Sequence, residues 1–185
     1  KINKYKSNKL WKSKDVANRI LNLLYNFDYI NSISSTSEET KLKKIIIIHI
    51  SFLSFQTKFL KKGELSILEF KANILSNLTI NKNTYEYEKV FIEIIENQLD
   101  SLSVHKSYNM LEHAKFINHL SEIINILLRF NKKIPKIFYV TKLKMVTILS
   151  QYFHKDGSIA LFNGSHNNYL SQIMSVLKEE SNIRK

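Results

Sequence analysis

Apolar residues recur at spacings of three and four along most of this chain, and this periodicity constrains the fold more than any other feature. In the first such segment, Val16, Ile20, Leu23 and Phe27 follow one another at these intervals. Such spacing places apolar side chains on one face of a helix. With only three glycines and one proline, the chain also has little material for turn-rich β architectures or glycine-rich phosphate loops. The sequence therefore predicts an all-α protein and disfavours nucleotide-binding folds of those kinds.

Seven helices are predicted, separated by short polar links. Their expected ranges are Ser13–Asn26, residue 36 or 37 to about 61, Glu64–Leu78, Tyr85–Leu99, residue 109 to 130, residue 135 to about 153, and Asn168–Leu177. Ser13, Thr36 or Ser37, and Asn109 or Ser107 are the expected N-caps, because Ser, Thr and Asn accept hydrogen bonds from a helix's first N–H groups. Helices joined by short links pair antiparallel, so we expect stacked helix hairpins, with one short strand or hairpin near residues 156–163.

The charge of the chain is strongly basic but consists almost entirely of lysine. There are 28 Lys and Arg against 16 Asp and Glu, giving a net charge of +12, and Arg occurs only at Arg19, Arg129 and Arg184, so 28 − 3 = 25 basic residues are lysine. Sequence-specific DNA readers rely on arginine forks for guanine. The abundance of Lys, Ile and Asn is also typical of an AT-rich genome, which favours solvated surface lysines over a polyanion-binding face. Nucleic acid is therefore not the expected partner.

Two further classes are excluded or disfavoured by composition. The chain has no cysteine, which excludes disulfide scaffolds, thiolate nucleophiles, iron–sulfur clusters and thiolate zinc sites. The longest apolar run, Ile45–Phe55, contains His49 and two serines and falls short of the ~18–20 apolar residues of a membrane span, so it predicts a buried helix. Because the sequence starts at Lys1 without methionine, we expect a piece of a longer protein, and the compartment, periplasmic or cytoplasmic, stays open.

Polar residues that are neither caps nor obvious surface concentrate in two loops, 104–109 and 152–167. Loops carry function more often than cores do, so the candidate site residues come from here. Several of these candidate residues also have a simple structural explanation. Asn109 is also a good N-cap, His105 a simple loop histidine, and Asp156 with Gly157 a turn. His113 and His119 are six apart, which does not match the i, i+4 spacing of a zinc pair, so both are interpreted as structural, as is His49 within its helix.

Three stretches resemble the helical domain of the bacterial heparinase II/III-like polysaccharide lyases, particularly their alphaproteobacterial form. The segment that starts Trp11-Lys-Ser-Lys-Asp-Val is similar to the family's Trp-x-Pro-Asp-Val-x-x-Arg-Arg-Leu. His105-Lys-Ser-Tyr-Asn is similar to His-x-Ser-Arg-Asn-Pro, and Asp156-Gly-Ser-Ile-Ala-Leu-Phe-Asn-Gly to Asp-Gly-Gly-Leu-Ala-Leu-Phe-Asn-Gly. Tyr108 and Met110 depart from the pattern, standing where the family has Arg and Pro. The resemblance extends from about Trp11 to Ser175, and its last stretch is the most specific.

The resemblance implies an incomplete (α/α) toroid as a single helical domain over residues 1–178. Residues 179–185 would be a charged tail that leads to a β-sandwich domain of the same chain. Such lyases cleave acidic, uronate-containing glycans by β-elimination, which needs donors that neutralise the uronate carboxylate, a base, and an acid for the leaving oxygen. The fragment alone is expected to be inactive and to hold no cofactor, while a metal in the implied second domain stays open.

The resemblance also implies roles for individual residues. Asn109 would neutralise the carboxylate, His105 would be a base or second donor, and Tyr108 a candidate acid. Because Tyr108 stands where the family has Arg, the contact of that arginine with the acidic substrate is expected to be lost or to be made by Lys106. The expected substrate-binding residues are Lys106, His154, Lys155, Asn163 and His166.

Two alternatives to an active lyase stay open at this stage. One is a non-catalytic, basic helical-repeat module that binds nucleic acid or an acidic partner protein. The other is a family member that has lost its activity, which the change from Arg to Tyr108 makes reasonable. The position of the lysines separates the lyase from the binding module. A single cleft shared by the two loops and their lysines favours the lyase, whereas a continuous outer stripe of lysines favours the module.

Overall fold

The computed structural model is all-α, as predicted. It describes residues 11–59, 64–80, 86–156, 158–160, 163–164, 171 and 174–175. Within these residues the helices are α1 (Ser13–Tyr25), α2 (Phe27–Ser32), α3 (Thr36–Phe59), α4 (Ile67–Thr79), α5 (Tyr87–Gln98), α6 (Met110–Arg129) and α7 (Lys136–Gln151). The β structure of the same residues consists of two isolated antiparallel bridges, Leu99 with His105 and Phe153 with Ile159.

The chain divides into two compact units, Lys1–Tyr85 and Glu86–Lys185. Each unit contains its own group of packed helices. The single domain over 1–178 and its toroidal arrangement stay predictions.

In the first unit, α1, α3 and α4 pack on one another. Helix α1 is amphipathic and buries Val16, Ala17 and Ile20 completely, as its periodicity predicts. The ring of Trp11, just before α1, packs in tilted orientations against Phe52 and His49, with ring centroids 4.9 and 5.1 Å apart. His49 also has the local partner expected of a histidine inside a helix, since its Nδ1 lies 2.8 Å from the carbonyl oxygen of Ile45.

The prediction that the isoleucine-rich run of α3 is a buried helix is wrong for part of its circumference. Ile46 and Ile50 are buried, but Ile45, Ile47 and Ile48 are 45%, 57% and 49% exposed. The reason is geometric. A helix that is apolar all round is buried all round only when neighbours cover every side, whereas the packing of α3 involves α1 and α4.

In the second unit, α6 provides the largest part of the core. Its buried face matches the predicted periodicity and comprises Met110, Leu111, His113, Ala114, Phe116, Ile117, Leu120, Ile123, Ile124, Ile126 and Leu127. His113 near the start of α6 contacts Met145 in the second half of α7, so the two helices run antiparallel, as short links predict. Phe91 of α5 packs against Phe138 of α7 with ring centroids 4.2 Å apart.

Several helix starts differ from the predictions. Helix α5 begins at Tyr87 instead of Tyr85, and α7 begins at Lys136 with Pro135 as its N-cap. The N-cap of α1 is Lys12 and not Ser13, and the Lys12 side chain makes no capping hydrogen bond. Ser35 rather than Thr36 or Ser37 caps α3, through a reciprocal arrangement in which Glu38 accepts from the Ser35 N–H at 2.9 Å. The third predicted helix begins three residues later than Glu64, at a capping box formed by Ser66 and Glu69. Asn109 caps α6 as predicted.

The ends and additional elements differ less. The short helix α2 was not predicted, and α7 ends before Phe153, which instead joins the bridge to Ile159. This bridge agrees with the short hairpin expected near residues 156–163. Most of the predicted helix Asn168–Leu177 lies outside the described residues.

Candidate functional site

The loop between α5 and α6, residues 99–109, is folded back on itself by its own hydrogen bonds. The Asp100 carboxylate accepts the backbone N–H groups of Leu102 at 3.0 Å and Val104 at 2.8 Å. The backbone N–H of Lys106 donates to the carbonyl of Gln98 at 2.9 Å, which continues the bridge between Leu99 and His105. An aspartate that bonds nearby backbone N–H groups stabilises a turn. These hydrogen bonds therefore fix the part of the loop that precedes residues 105–109.

The side chain of His105 is held by Ser107. The backbone N–H of Ser107 donates to Nδ1 of His105 at 3.2 Å, and the Ser107 hydroxyl lies 2.7 Å from the same nitrogen. Since a backbone N–H is only a donor, Nδ1 is the acceptor, and the neutral ring carries its proton on Nε2. The Ser107 hydroxyl oxygen accepts the backbone N–H of Asn109 at 3.2 Å, so the hydroxyl proton is available to donate to Nδ1 of His105. The hydrogen bonds thus select one tautomer of His105.

Burial favours the neutral form of that ring. His105 is partly buried, with its ring centroid 6.3 Å from Phe116. Desolvation lowers the pKa of His105, and the nearby carboxylate of Glu112 offsets part of this shift. The site accordingly contains an uncharged imidazole with an N–H at Nε2 near neutral pH.

Asn109 and Asn163, which are 54 residues apart in sequence, bind each other's loops. Nδ2 of Asn109 donates to the carbonyl oxygen of Asn163 at 2.9 Å. In return, Nδ2 of Asn163 donates to the carbonyl of Ser107 at 2.9 Å. We call these two hydrogen bonds the asparagine latch. It brings together the two loops that sequence reasoning singled out.

The backbone around the latch adopts the left-handed region. Asn163 has φ of 45° and Gly164 has φ of 83°. Gly and Asn are the residues that tolerate this region best. A Cβ placed on Gly164 would lie 3.8 Å from Nδ2 of Asn109, so glycine is required by the φ angle and not by lack of space.

Asn109 uses its side chain for structure as well as for the latch. Its Oδ1 accepts the N–H groups of Leu111 at 2.9 Å and Glu112 at 3.3 Å at the start of α6. The cap and the predicted catalytic position therefore coincide in one residue. Both parts of the amide are engaged, which leaves His105 as the more suitable donor towards an anionic substrate group.

The other predicted residues have different surroundings. Lys106 directs its Nζ to the carbonyl oxygen of Glu96 at 2.8 Å, where a cation complements the C-terminal end of α5. Tyr108 is 49% exposed and has φ of 51°. His154 and Lys155 are exposed in the turn closed by the bridge between Phe153 and Ile159. His166 lies outside the described residues.

Sequence reasoning missed two residues that organise the site. One is Ser107, considered as an N-cap and found to hold His105. The other is His113, whose Nδ1 accepts the backbone N–H of His105 at 3.2 Å. The sequence predicts only a structural role for His113, and its position four residues after the N-cap Asn109 is the signal that places it beneath the loop.

An open groove of about 430 Å³ lies in the same unit. It is lined by Leu102 and Val104 of the loop and by Ile148, Gln151 and Tyr152 at the end of α7. Its lining includes none of the described candidate residues. The groove therefore lies beside the loop, and its lining contains neither His105 nor the two asparagines of the latch.

Metal-binding clusters and membrane-spanning helices are absent from the part of the chain that the structure describes. No group of three or more His, Asp or Glu side chains there is arranged to hold a metal ion. Among the same residues, no helix has both the length and the apolarity to cross a membrane.

Comparison with models of protein families, with curated proteins and with solved structures finds no match for this chain. The family resemblance therefore stays a prediction based on the residues quoted above.

Proposed function

We propose that this chain is the helical part of a polysaccharide lyase that cleaves an acidic, uronate-containing glycan by β-elimination. The asparagine latch is the observation that carries the proposal. It joins residues 107–109 to residue 163, so that the two loops on which the resemblance to heparinase II/III-like lyases depends lie against each other. A binding module that used only a basic helix face would not need these loops to meet.

His105 has the properties that the first chemical step demands. Removing the proton next to a uronate carboxylate builds negative charge on that group, which hydrogen-bond donors must stabilise. A neutral imidazole with its proton on Nε2 is such a donor, and Ser107 holds it in this tautomer. The proposal therefore assigns carboxylate neutralisation to His105 and the support of its loop to Asn109.

Tyr108 is the proposed acid that protonates the departing glycosidic oxygen. Its exposed ring follows His105 by three residues, and its backbone N–H donates to the His105 carbonyl at 2.8 Å. A phenol is able to provide a proton to a leaving alkoxide. The proposal leaves the base to another part of the longer protein, together with the β-sandwich domain that the resemblance implies.

Lysines and the second loop would attract and hold the polymer. Lys155 and His154 are exposed in the turn that precedes the latch. A net charge of +12 raises the local concentration of an anionic chain. Lys106 would contribute through this general field, because its ammonium group already contacts the Glu96 carbonyl.

The test is turnover by the full-length protein on a panel of uronic-acid polymers, including heparinoids and alginate. Formation of unsaturated uronate ends is followed by their ultraviolet absorbance. We expect activity on at least one polymer, with His105→Ala and Tyr108→Phe each lowering kcat by about 100-fold or more. His119→Ala in α6 is the matched control and should retain wild-type turnover, since that side chain lies 3.8 Å from Glu122 and is not one of the site residues.

Two results would contradict the proposal. Wild-type turnover by His105→Ala would remove His105 from the reaction. Absence of elimination products on every polymer, combined with salt-sensitive binding to nucleic acid, would instead favour the basic binding module.

A further inference from the structure

The ring of His113 connects the loop that bears His105 to helix α7. Its Nδ1 accepts the backbone N–H of His105 at 3.2 Å, and its Nε2 lies 2.9 Å from the carbonyl oxygen of Met145. The side chain is completely buried. We propose that His113 is a positioning residue that fixes the orientation of His105 through this two-sided contact. Its importance for catalysis rests on the proposed lyase function.

Only one form of the ring satisfies both contacts. A backbone N–H must find an acceptor at Nδ1, and a carbonyl oxygen must find a donor at Nε2. The neutral tautomer with its proton on Nε2 meets both requirements. A protonated ring would present an N–H at Nδ1 towards the N–H of His105, so that two buried donors would oppose each other.

The contact acts on His105 at a point where the backbone is otherwise well defined. On one side His105 pairs with Leu99 in the β-bridge, and on the other its carbonyl accepts the N–H of Tyr108 at 2.8 Å. The remaining backbone group, its N–H, is the one that His113 holds. With all three in place the direction of the Cα–Cβ bond is set, and Ser107 then sets the ring.

Burial favours the neutral state of His113. Burial lowers the pKa of His113, its hydrogen bond to Met145 and the charge of Asp100 act in the opposite direction, and a charged His105 would lower the pKa further. Asp100 is in the loop, and Glu112 of α6 acts on the neighbouring His105. The network thus contains two neutral imidazoles, His105 in the loop and His113 in α6.

Two substitutions separate positioning from simple packing. In His113→Asn, the amide oxygen can take the place of Nδ1 as acceptor for the His105 N–H. In His113→Gln, the longer amide can take the place of Nε2 as donor to the Met145 carbonyl, but the acceptor at Nδ1 is lost. Asn is smaller than Gln and leaves the larger cavity at this buried position, so a role in packing alone would affect His113→Asn more than His113→Gln, which is the opposite of what positioning predicts. His119→Asn is the matched control on the same helix.

The first measurement needs no substrate. Imidazole nitrogen spectra of the full-length protein report the tautomer of His105. We expect the wild type, His119→Asn and His113→Asn to show the proton on Nε2. We expect His113→Gln to show a mixture of tautomers. Equal spectra for the Asn and Gln variants at position 113 would overturn the proposal, whether or not the protein is a lyase.

The second measurement is turnover on the polymer that the panel identifies. A displacement of about 1 Å in a catalytic group costs on the order of 100-fold in rate. We expect His113→Gln to lose kcat by that factor with KM little changed, and His113→Asn to stay near wild type. Should His113→Gln fail to fold, an altered His105 spectrum in His113→Asn would also overturn the proposal. An inactive wild type with the expected spectra would contradict the lyase function and leave the positioning role supported.

Discussion

Tyr108 has a backbone conformation that its side chain disfavours. Its φ of 51° lies in the left-handed region, which costs a residue with a Cβ roughly 1–2 kcal/mol. Such strain persists when the surroundings impose it, and it is often found at functional sites. Here the imposing contacts are the turn to the His105 carbonyl and the cap at Asn109, which leave Tyr108 exposed on the outside of the loop.

Relief of this strain should stabilise the protein at the expense of activity. We expect Tyr108→Gly and Tyr108→Asn to raise the free energy of unfolding by about 1 kcal/mol, because both residues tolerate positive φ. Urea denaturation measures the change. Tyr108→Phe keeps the strain and removes only the hydroxyl, so it should be neutral in stability. A destabilised Tyr108→Gly variant would show that the tyrosine ring makes contacts that outweigh the strain.

The asparagine latch should show coupling between its two residues. We expect Asn109→Ala to cost about 1–2 kcal/mol, since it removes both a helix cap and one latch bond. Asn109→Asp retains the cap acceptor and loses only the donor to Asn163. Asn163→Ala removes the other hydrogen bond of the latch. Because both bonds hold the same two loops together, the two substitutions should be non-additive in a double-mutant cycle by urea denaturation, with a coupling energy of about 0.5 kcal/mol or more. Strict additivity would mean that the latch does not hold the loops together.

Acidification should destabilise the folded chain through His113 and His105. The pKa values of His113 and His105 are lowered in the folded state, whereas an unfolded histidine titrates near pH 6.5. Below that pH the unfolded chain binds protons that the folded chain rejects, so stability falls as pH falls towards the folded pKa values. The contribution of His113 has a maximum slope of about 1.4 kcal/mol per pH unit.

Urea midpoints between about pH 7.5 and about pH 5.5 measure this slope. His113→Asn cannot titrate there and should show a flatter dependence than the wild type. His119→Asn, the control, should keep the steep one. An identical slope for the wild type and His113→Asn would mean that His113 binds its proton equally well in both states.

Among the helices, the start positions illustrate what local patterns do and do not specify. The motif Ser-x-x-Glu occurs at Ser35 and again at Ser66, and both form capping boxes. Sequence reasoning placed the first cap one or two residues late and missed the second, because apolar Leu65 preceding it fits the helical spacing equally well. The long amphipathic helices were predicted correctly, since a 3.6-residue period over four turns has few alternatives.

The caps provide a stability prediction for these elements. We expect Ser35→Ala and Ser66→Ala each to lower the free energy of unfolding by about 1 kcal/mol, with the partly buried Ser66 at the larger end. Ser13→Ala is the control and should change stability by less than about 0.5 kcal/mol, because Ser13 lies inside α1 and does not cap it. Thermal unfolding ranks the three variants. A Ser13 variant as costly as the other two would contradict the observed start of α1.

Tertiary contacts are the part of the site that the sequence could not supply. The two candidate loops were identified from their polar residues, but nothing in the sequence between positions 109 and 163 indicates that their amides bond each other's backbone. The same limit applies to α3. Its isoleucines predict burial, yet which of its sides is covered depends on helices elsewhere in the chain.

For the molecule as a whole, the net charge of +12 predicts attraction to any polyanion, whereas the proposed lyase function concerns only one class of polyanion, the uronate polymers. These two effects respond differently to salt. Binding governed by lysine charge weakens steeply between about 50 and 200 mM salt, because counterions compete for the phosphates or carboxylates. Three arginines among 28 basic residues give little base-specific readout, so binding to duplex DNA should be independent of sequence.

We therefore expect added salt to weaken DNA binding and to raise KM for a uronate polymer, while kcat at saturating polymer stays constant. His105→Ala should lower kcat and leave DNA binding unchanged, since one half-buried neutral residue contributes nothing to the long-range field. Fluorescence anisotropy with labelled duplex and the elimination assay measure the two properties on the same full-length protein. Tight, sequence-dependent DNA binding at high salt would contradict this division, because it would require base contacts that a lysine-based surface does not provide.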